Sequence, residues 1–377
     1  MEGVNIMRYL DNAATSRKKP TGVYASMIFH TVFGSENAGR GGHKLSLAAV
    51  REIVETQDII SELFNIKEPQ KVAFLQNATY ALNFAIRGAL RDGDHVIATE
   101  MDHNSVLRPV YERDDYTIVK ADRNGFVHPE DIEKAIKSNT RLIACTHASN
   151  VCGTLQQAEE IGKIAEKHGV LFLLDTAQTA GCVDIDTERL NVDFLAFSGH
   201  KGLMGPLGTG GLYIKNPSII TPIITGGTGS VSESVHQPDF MPDMLHSGTM
   251  NTPAIAALRE GVRYIMKRGA ENIGAHEVYL ADFVKSELLN MGNVTVYGTS
   301  PKIGITAFNV GSMDSVQVEN LLGGQFAVRT GYHCAPLAHK ALGTLKTGVV
   351  RASFGAFSKK SDAKKLVEKI YKISKTQ

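Results

Sequence analysis

An alternation constrains this chain more than any other feature. Between residues 71 and 214, short apolar runs take turns with stretches of helical period. The runs lie at 71–75, 95–98, 141–146, 170–174, 194–197 and 211–214. Amphipathic segments such as 79–89, 129–137 and 158–168 separate them. Strands alternating with helices point to an α/β fold, a mainly parallel sheet covered on both faces. Sheets of that kind take ligands at the carboxyl ends of their strands. Polar residues directly after each run are therefore the first candidates for a site.

Beyond residue 214 the pattern changes. Gly, Ser and Pro crowd residues 222–253, which read as an ordered active-site loop rather than a linker. A helical pattern at 254–268 follows, then strand-like runs near 303–309 and 349–353. The length of 377 residues exceeds one ordinary core. The expected division is a large domain over 16–256 and a smaller one over 257–377. Residues 1–15 are expected to join the smaller domain or to line the cleft.

Composition narrows the function classes. Hydrophobic residues make up 43% and charged residues 21%, a balance typical of soluble globular proteins. The net charge of +1 offers no strong field for nucleic acid or an acidic membrane. The basic stretch at 359–375 is interleaved with Leu366, Val367, Ile370 and Ile373, as in a surface helix with a solvated face. The opening MEGVNIMRYLDNAATS lacks the apolar core of a secretory signal, and no apolar run approaches the ~20 residues of a membrane span. Four cysteines without a C-x-x-C pair make no disulfide framework, so a reducing, cytoplasmic setting is expected.

The chemistry begins at VLFLLDTAQTAG. A buried run ends in Asp175, and a carboxylate there needs a positive partner. One strand–helix–strand unit later, DFLAFSGHKG turns sharply into Ser198, Gly199, His200 and Lys201. A lysine beside glycines at a strand end can reach inward and lose its proton by desolvation. Pyridoxal phosphate needs both groups, an amine for a Schiff base and a carboxylate for its pyridine nitrogen. By spacing alone, a solvent-facing Lys201 and a helix-capping Asp175 remain the alternative. A dinucleotide site is disfavoured, because the glycines at 205–211 and 226–229 form no G-x-G-x-x-G between strand and helix. No nucleoside-triphosphate loop of the G-x-x-x-x-G-K-[ST] type occurs.

These segments resemble a known family along nearly the whole chain. LDNAAT, NATYALN, MDHNSV, SNVCGT, LLDTAQTAG, FSGHKG, HSGTMNT, RTGYHCAP and VRAS occur in the order found in class V aminotransferases of fold type I. Within that class they are most similar to the Suf-type cysteine desulfurases and selenocysteine lyases. The resemblance implies a fold type I transferase with a large, mainly parallel domain and a smaller α+β domain. It implies that Lys201 carries the cofactor and shuttles protons, and that Asp175 pairs with the ring nitrogen. Gln178 and Asn150 are implied near the phenolic oxygen. His103 would stack on the ring and act in acid–base catalysis, the alternative being a helix-start histidine satisfied by backbone. Ala78, Thr79, Ser198 and His200 would hold the phosphate, with Thr249 reaching the phosphate of a neighbouring subunit in a homodimer. Arg351, Asn150, Asn12 and Ala13 would bind the substrate, Arg351 gripping its carboxylate. A purely structural salt bridge is the other reading of Arg351, and Arg329 suits either role.

Cys334 selects the reaction. It sits in the turn-like RTGYHCAPLAH beside His333, and a partly exposed thiol near a cation can be deprotonated and attack sulfur. Cys145, Cys152 and Cys182 read as small core residues. Cys334, His333 and His339 lack the further ligands a metal would need, so no metal is expected. The resemblance thus implies conversion of L-cysteine, or selenocysteine, to alanine, with a persulfide on Cys334. From there sulfur would pass to an acceptor protein, as in iron–sulfur cluster assembly. Transamination or β-elimination with Cys334 incidental is the competing enzyme reading, and a non-catalytic scaffold the competing non-enzyme one. Three departures bear on substrate. Asn77, Ala78 and Thr79 stand where Gly-Thr-Thr is usual, the segment GLMGPLGTGG after Lys201 is longer than usual, and Arg40 and His43 lie near the expected cleft.

Overall fold

Each apolar run became a strand because both of its faces are covered, and only extended backbone with paired N–H and C=O groups survives such burial. The structure, a computed structural model, describes residues 7–34, 36–38, 41–298 and 302–376. In chain order the first elements are β1 (Arg8–Tyr9), α1 (Thr21–Phe33), α2 (Lys44–Phe64), β2 (Val72–Leu75), α3 (Ala78–Ala89) and β3 (His95–Thr99). Then come α4 (Asn104–Tyr111), β4 (Tyr116–Val119), α5 (Pro129–Lys134), β5 (Thr140–Thr146), α6 (Ala158–His168), β6 (Leu171–Asp175), β7 (Phe194–Ser198) and β8 (Gly210–Ile214). After the turn-rich stretch, which forms no strand or α-helix before residue 252, follow α7 (Thr252–Arg268), α8 (Ala270–Leu289), β9 (Val294–Tyr297) and β10 (Ile305–Val310). The chain closes with α9 (Ser315–Leu322), β11 (Phe326–Ala327), α10 (Pro336–Ala341), β12 (Val350–Ser353) and α11 (Lys360–Ser374).

The main sheet has seven strands in the order β2-β8-β7-β6-β5-β3-β4. Only β8 runs against its neighbours. Side chains alternate between the two faces with period two. Ile97, Ile143, Phe172, Leu174, Leu195 and Phe197 enter one core, while Val96, Ala98, Leu142, Ala144, Leu173, Phe194 and Ala196 enter the other. Thr146 and Asp175 pair in register, so the carboxyl ends of β5 and β6 lie level.

A second, antiparallel sheet of order β12-β10-β9 packs on α8 and α11 around a third core that includes Leu280, Val284, Phe308 and Ile370. The division expected after residue 256 falls inside α7, which runs unbroken across it. The chain start bridges the two sheets. Arg8 and Leu10 donate backbone hydrogen bonds to Gln325 and Ala327 (2.9 and 2.8 Å), and Leu10 accepts one from Ser353 (2.7 Å). A few residues on, the Ser16 N–H reaches the His200 carbonyl at 3.1 Å.

Candidate active site

Lys201 follows the end of β7 in a tight turn. A Cβ on Gly199 would stand 2.2 Å from the Thr209 hydroxyl oxygen, so only glycine lets this turn close. Burial lowers the Lys201 pKa to about 8, against the opposing pull of the Asp175 carboxylate. Asp175 is 4% exposed, and burial raises its pKa despite the Ala177 N–H, which donates to it at 2.9 Å. The two groups share a cavity of about 240 Å³ with Ala78, Thr79, His103, Ser105, Asn150, Gln178, Ser198 and His200. The helix α3 opens onto it, capped by the Asn77 side chain, which accepts from the Tyr80 N–H.

His103 lines the cavity and also caps a helix, the structural alternative weighed for it. Its Nδ1 accepts from the Ser105 N–H (3.1 Å) and so caps α4. Because a backbone N–H only donates, the neutral ring carries its proton on Nε2. Burial, followed by the charge of Lys201, drives its pKa down to about 4, so the ring is neutral. Sequence reasoning missed the support around it. Ser105 Oγ lies 2.9 Å from His103 Nδ1 and 2.8 Å from the Thr79 hydroxyl. The buried Asp102, one residue earlier, accepts from Thr99 N–H (2.7 Å), Thr99 Oγ1 (2.8 Å) and Thr146 N–H (2.6 Å), which locks β3 to β5. The acidic residue before the histidine was the available signal for this link.

Other expected contacts are partly engaged by the protein itself. Gln178 Nε2 donates to the Ala13 carbonyl (3.2 Å), and Asn150 Nδ2 donates to the His333 carbonyl (2.6 Å). The Ala78 N–H lies 3.3 Å from Ser198 Oγ. His200 presents a buried Nδ1 with no partner among the described residues. Asn12 Nδ2 and the Ala13 N–H bond to Ser353 at 3.1 and 2.9 Å. Both residues line a separate cavity of about 410 Å³ that meets the first at Lys201 and Gln178. Thr249 does not line the first cavity and lies in a third one with Tyr80 and His246.

Arg351 is 2% exposed and already held, one terminal nitrogen on the Asp11 carboxylate (2.7 Å) and the other on the Asn150 carbonyl (2.8 Å). Its Nε is buried without a partner among the described residues. Arg329 is half-buried, and its guanidinium makes no hydrogen bond or ion pair among the described residues. It acts electrostatically on Lys201 and His103. Cys334 is exposed, whereas Cys145, Cys152 and Cys182 are buried. The adjacent cation expected at His333 is not there. That ring is buried and neutral, its pKa lowered to about 3. His43 caps α2 by accepting from the Ser46 N–H (3.2 Å), and Arg40 lies outside the described residues.

Comparisons agree with this geometry. The family model described as Aminotransferase class-V matches residues 8–366. The chain belongs to the class V aminotransferases, a family of fold type I enzymes that use pyridoxal phosphate. Within it the chain is similar to cysteine desulfurases. A probable cysteine desulfurase from Methanothermobacter thermautotrophicus is 33% identical, over 97% of this chain and 94% of that protein. The apo structure of a cysteine desulfurase from Thermococcus onnurineus NA1 superposes with a TM-score of 0.92 at 31% identity, covering 99% of this chain and 96% of that one. An Escherichia coli cysteine desulfurase shares the fold, with a TM-score of 0.86 at 24% identity over 98% and 94% of the two chains.

The residues present fit pyridoxal phosphate. The cavity combines a partly deprotonated amine on Lys201, a buried carboxylate on Asp175, and hydroxyls at a helix start. The orphaned Nδ1 of His200, itself lining that cavity, awaits a partner of this kind.

Proposed function

We propose that the protein is a pyridoxal-phosphate-dependent cysteine desulfurase, which takes sulfur from L-cysteine onto Cys334 and releases L-alanine. The placing of Cys334 carries this reading. It is the one exposed cysteine, and its turn is tied to Asn150, which lines the Lys201 cavity, and to Asn104, next to His103.

Lys201 and Asp175 would hold the amine-reactive and ring ends of the cofactor, and Ala78, Thr79, Ser198 and His200 its phosphate. Bound there, the cofactor supplies an electron sink that makes the substrate α-proton removable. Lys201, with its lowered pKa, takes that proton as a neutral amine. His103 offers a neutral Nε2–H rather than a charge. The Cys334 thiolate forms a bond to the substrate sulfur as the substrate's carbon–sulfur bond breaks. The electron pair of that bond stays with carbon, which takes up a proton and becomes the alanine methyl group. For the substrate carboxylate, Arg329 is the readier guanidinium, since Arg351 must keep Asp11.

In the same reading the active unit is a homodimer, with residues 16–256 as cofactor-binding domain and 257–377 with 1–15 as the smaller one. Helix α1 supports this by exposing Tyr24, Ile28, Phe29, Val32 and Phe33 along one flank. Thr249, outside the lining of its own chain's Lys201 cavity, would then serve the partner's phosphate. The protein would work in the cytoplasm and hand sulfur to an acceptor protein, for example in iron–sulfur cluster assembly.

The test is to incubate Cys334→Ala and the parent with cysteine and with selenocysteine. The parent is expected to give alanine, and the variant to lose alanine formation from cysteine while keeping the visible absorbance of bound cofactor. Turnover by the variant at the parent rate refutes the role of Cys334. Pyruvate in place of alanine points to β-elimination, and activity confined to selenocysteine points to a lyase for that substrate.

A further inference from the structure

His333 and Cys334 are two successive non-glycine residues in the left-handed region, with φ of 50° and 56°. L-residues avoid this region, so the surrounding structure must hold the pair there. The backbone does part of this. The His333 carbonyl accepts from Asn150 Nδ2 at 2.6 Å, and the Cys334 carbonyl from the Asn104 N–H at 2.8 Å.

The rest runs through two imidazoles. His333 Nε2 lies 3.3 Å from the Arg329 carbonyl, and His333 Nδ1 lies 3.4 Å from His339 Nε2. His339 Nδ1 lies 2.8 Å from Thr344 Oγ1. The rings are stacked, 7° from parallel with centroids 5.6 Å apart, and His339 is fully buried. One end of this chain fixes its direction. A carbonyl only accepts, so His333 Nε2 bears the proton and Nδ1 accepts. His339 must then donate from Nε2, which leaves its Nδ1 to accept the Thr344 hydroxyl proton. Every member is neutral, because burial pushes the His333 and His339 pKa values down to about 3 and 4. The Thr344 N–H donates to the His339 carbonyl at 2.8 Å and closes the loop on itself.

We propose that His339 and Thr344 are positioning residues, forming a one-way hydrogen-bond relay from the Thr344 hydroxyl to the Arg329 carbonyl that pins the Cys334 sulfur for transfer. The relay ties the thiol-bearing turn to the Arg329 backbone, which bonds in turn to Arg351 across an isolated bridge. The functional part of this inference rests on Cys334 being the sulfur acceptor, but the pinning itself does not.

The experiment uses the full chain with Thr344→Val, which removes the terminal donor at nearly constant volume. His339→Leu breaks the relay in the middle, and Thr344→Ser keeps the hydroxyl. Amide hydrogen exchange of residues 331–335 and of Asn104, measured on cofactor-free protein, reads the turn directly. It is expected to quicken about tenfold in Thr344→Val and His339→Leu, and to stay at the parent rate in Thr344→Ser. On the cofactor-loaded enzyme, kcat is expected to fall about tenfold with KM for cysteine unchanged, and the serine variant to restore it. Parent-rate exchange in both relay-breaking variants overturns the proposal, as does quickened exchange with an unchanged kcat. A parent enzyme with no cysteine turnover refutes the function instead, and the exchange measurement then still decides whether the relay pins the turn.

Discussion

Lys201 is the residue whose chemistry is most open to measurement. Its pKa is held near 8 by burial rather than at the ordinary 10.5, so its free-base fraction rises through that lower value. The rate at which cofactor-free protein takes up pyridoxal phosphate, followed by visible absorbance, is expected to climb through about pH 8 and then level. A climb centred on 10.5 would contradict the burial seen here. The two arginines separate in the same way. Arg351→Ala strands the Asp11 carboxylate and the Asn150 carbonyl, and is expected to cost about 3 kcal/mol in urea unfolding. Arg329→Ala removes a guanidinium that bonds to nothing among the described residues. It is expected to change stability by less than about 0.5 kcal/mol while raising KM for cysteine. Equal destabilisation by both would sink the distinction.

Among elements, those buried on both faces were legible in the sequence and those defined by a distant partner were not. The runs at 95–98 and 194–197 read correctly because β3 and β7 are covered throughout, and the one polar member, His95 at the edge of its run, is bonded to Thr140 and Thr117. The placing of Asp175 and Lys201 in one cavity was legible for the same reason, since each ends or follows such a run. Helix α1 escaped notice because its outward flank is apolar too, which blurs the helical period. Strand β1 is two residues long, and only its pairing with β11 far along the chain makes it a strand. A salt bridge at Arg351 was among the readings, but its partner Asp11 and the paired imidazoles were illegible because nothing local announces a partner so remote, or a turn so tight. Close packing tests one such junction. A Cβ on Gly274 in α8 would stand 2.0 Å from the Cys182 carbonyl oxygen. Gly274→Ala is expected to destabilise by about 1–3 kcal/mol in urea, with Gly292→Ala, where nothing lies near, as the neutral control.

For the molecule as a whole, α8 carries a pH signature. Glu277 is 8% exposed, and burial raises its carboxyl pKa from 4.5 to about 8. The folded protein keeps that proton where the unfolded chain has released it. The resulting stabilisation is complete below 4.5, drains away as pH rises to about 8, and is level beyond. Glu277→Gln has no proton to lose, so it is expected to gain on the parent in chemical denaturation across that interval. Parallel curves for the two proteins would show that the carboxylate is ionised in the native state. The bridging chain start reaches further still. Residues 8–10 are stitched to β11 and β12, while Ser16 is stitched to the carbonyl just before Lys201, and Ala13 between them receives the Gln178 amide. A leash of so few residues, anchored at both ends, cannot slacken when the smaller sheet swings. Any such swing must tug on the reactive amine's own turn, and Leu10 and Ala13, each seated in a different core, make the leash part of both.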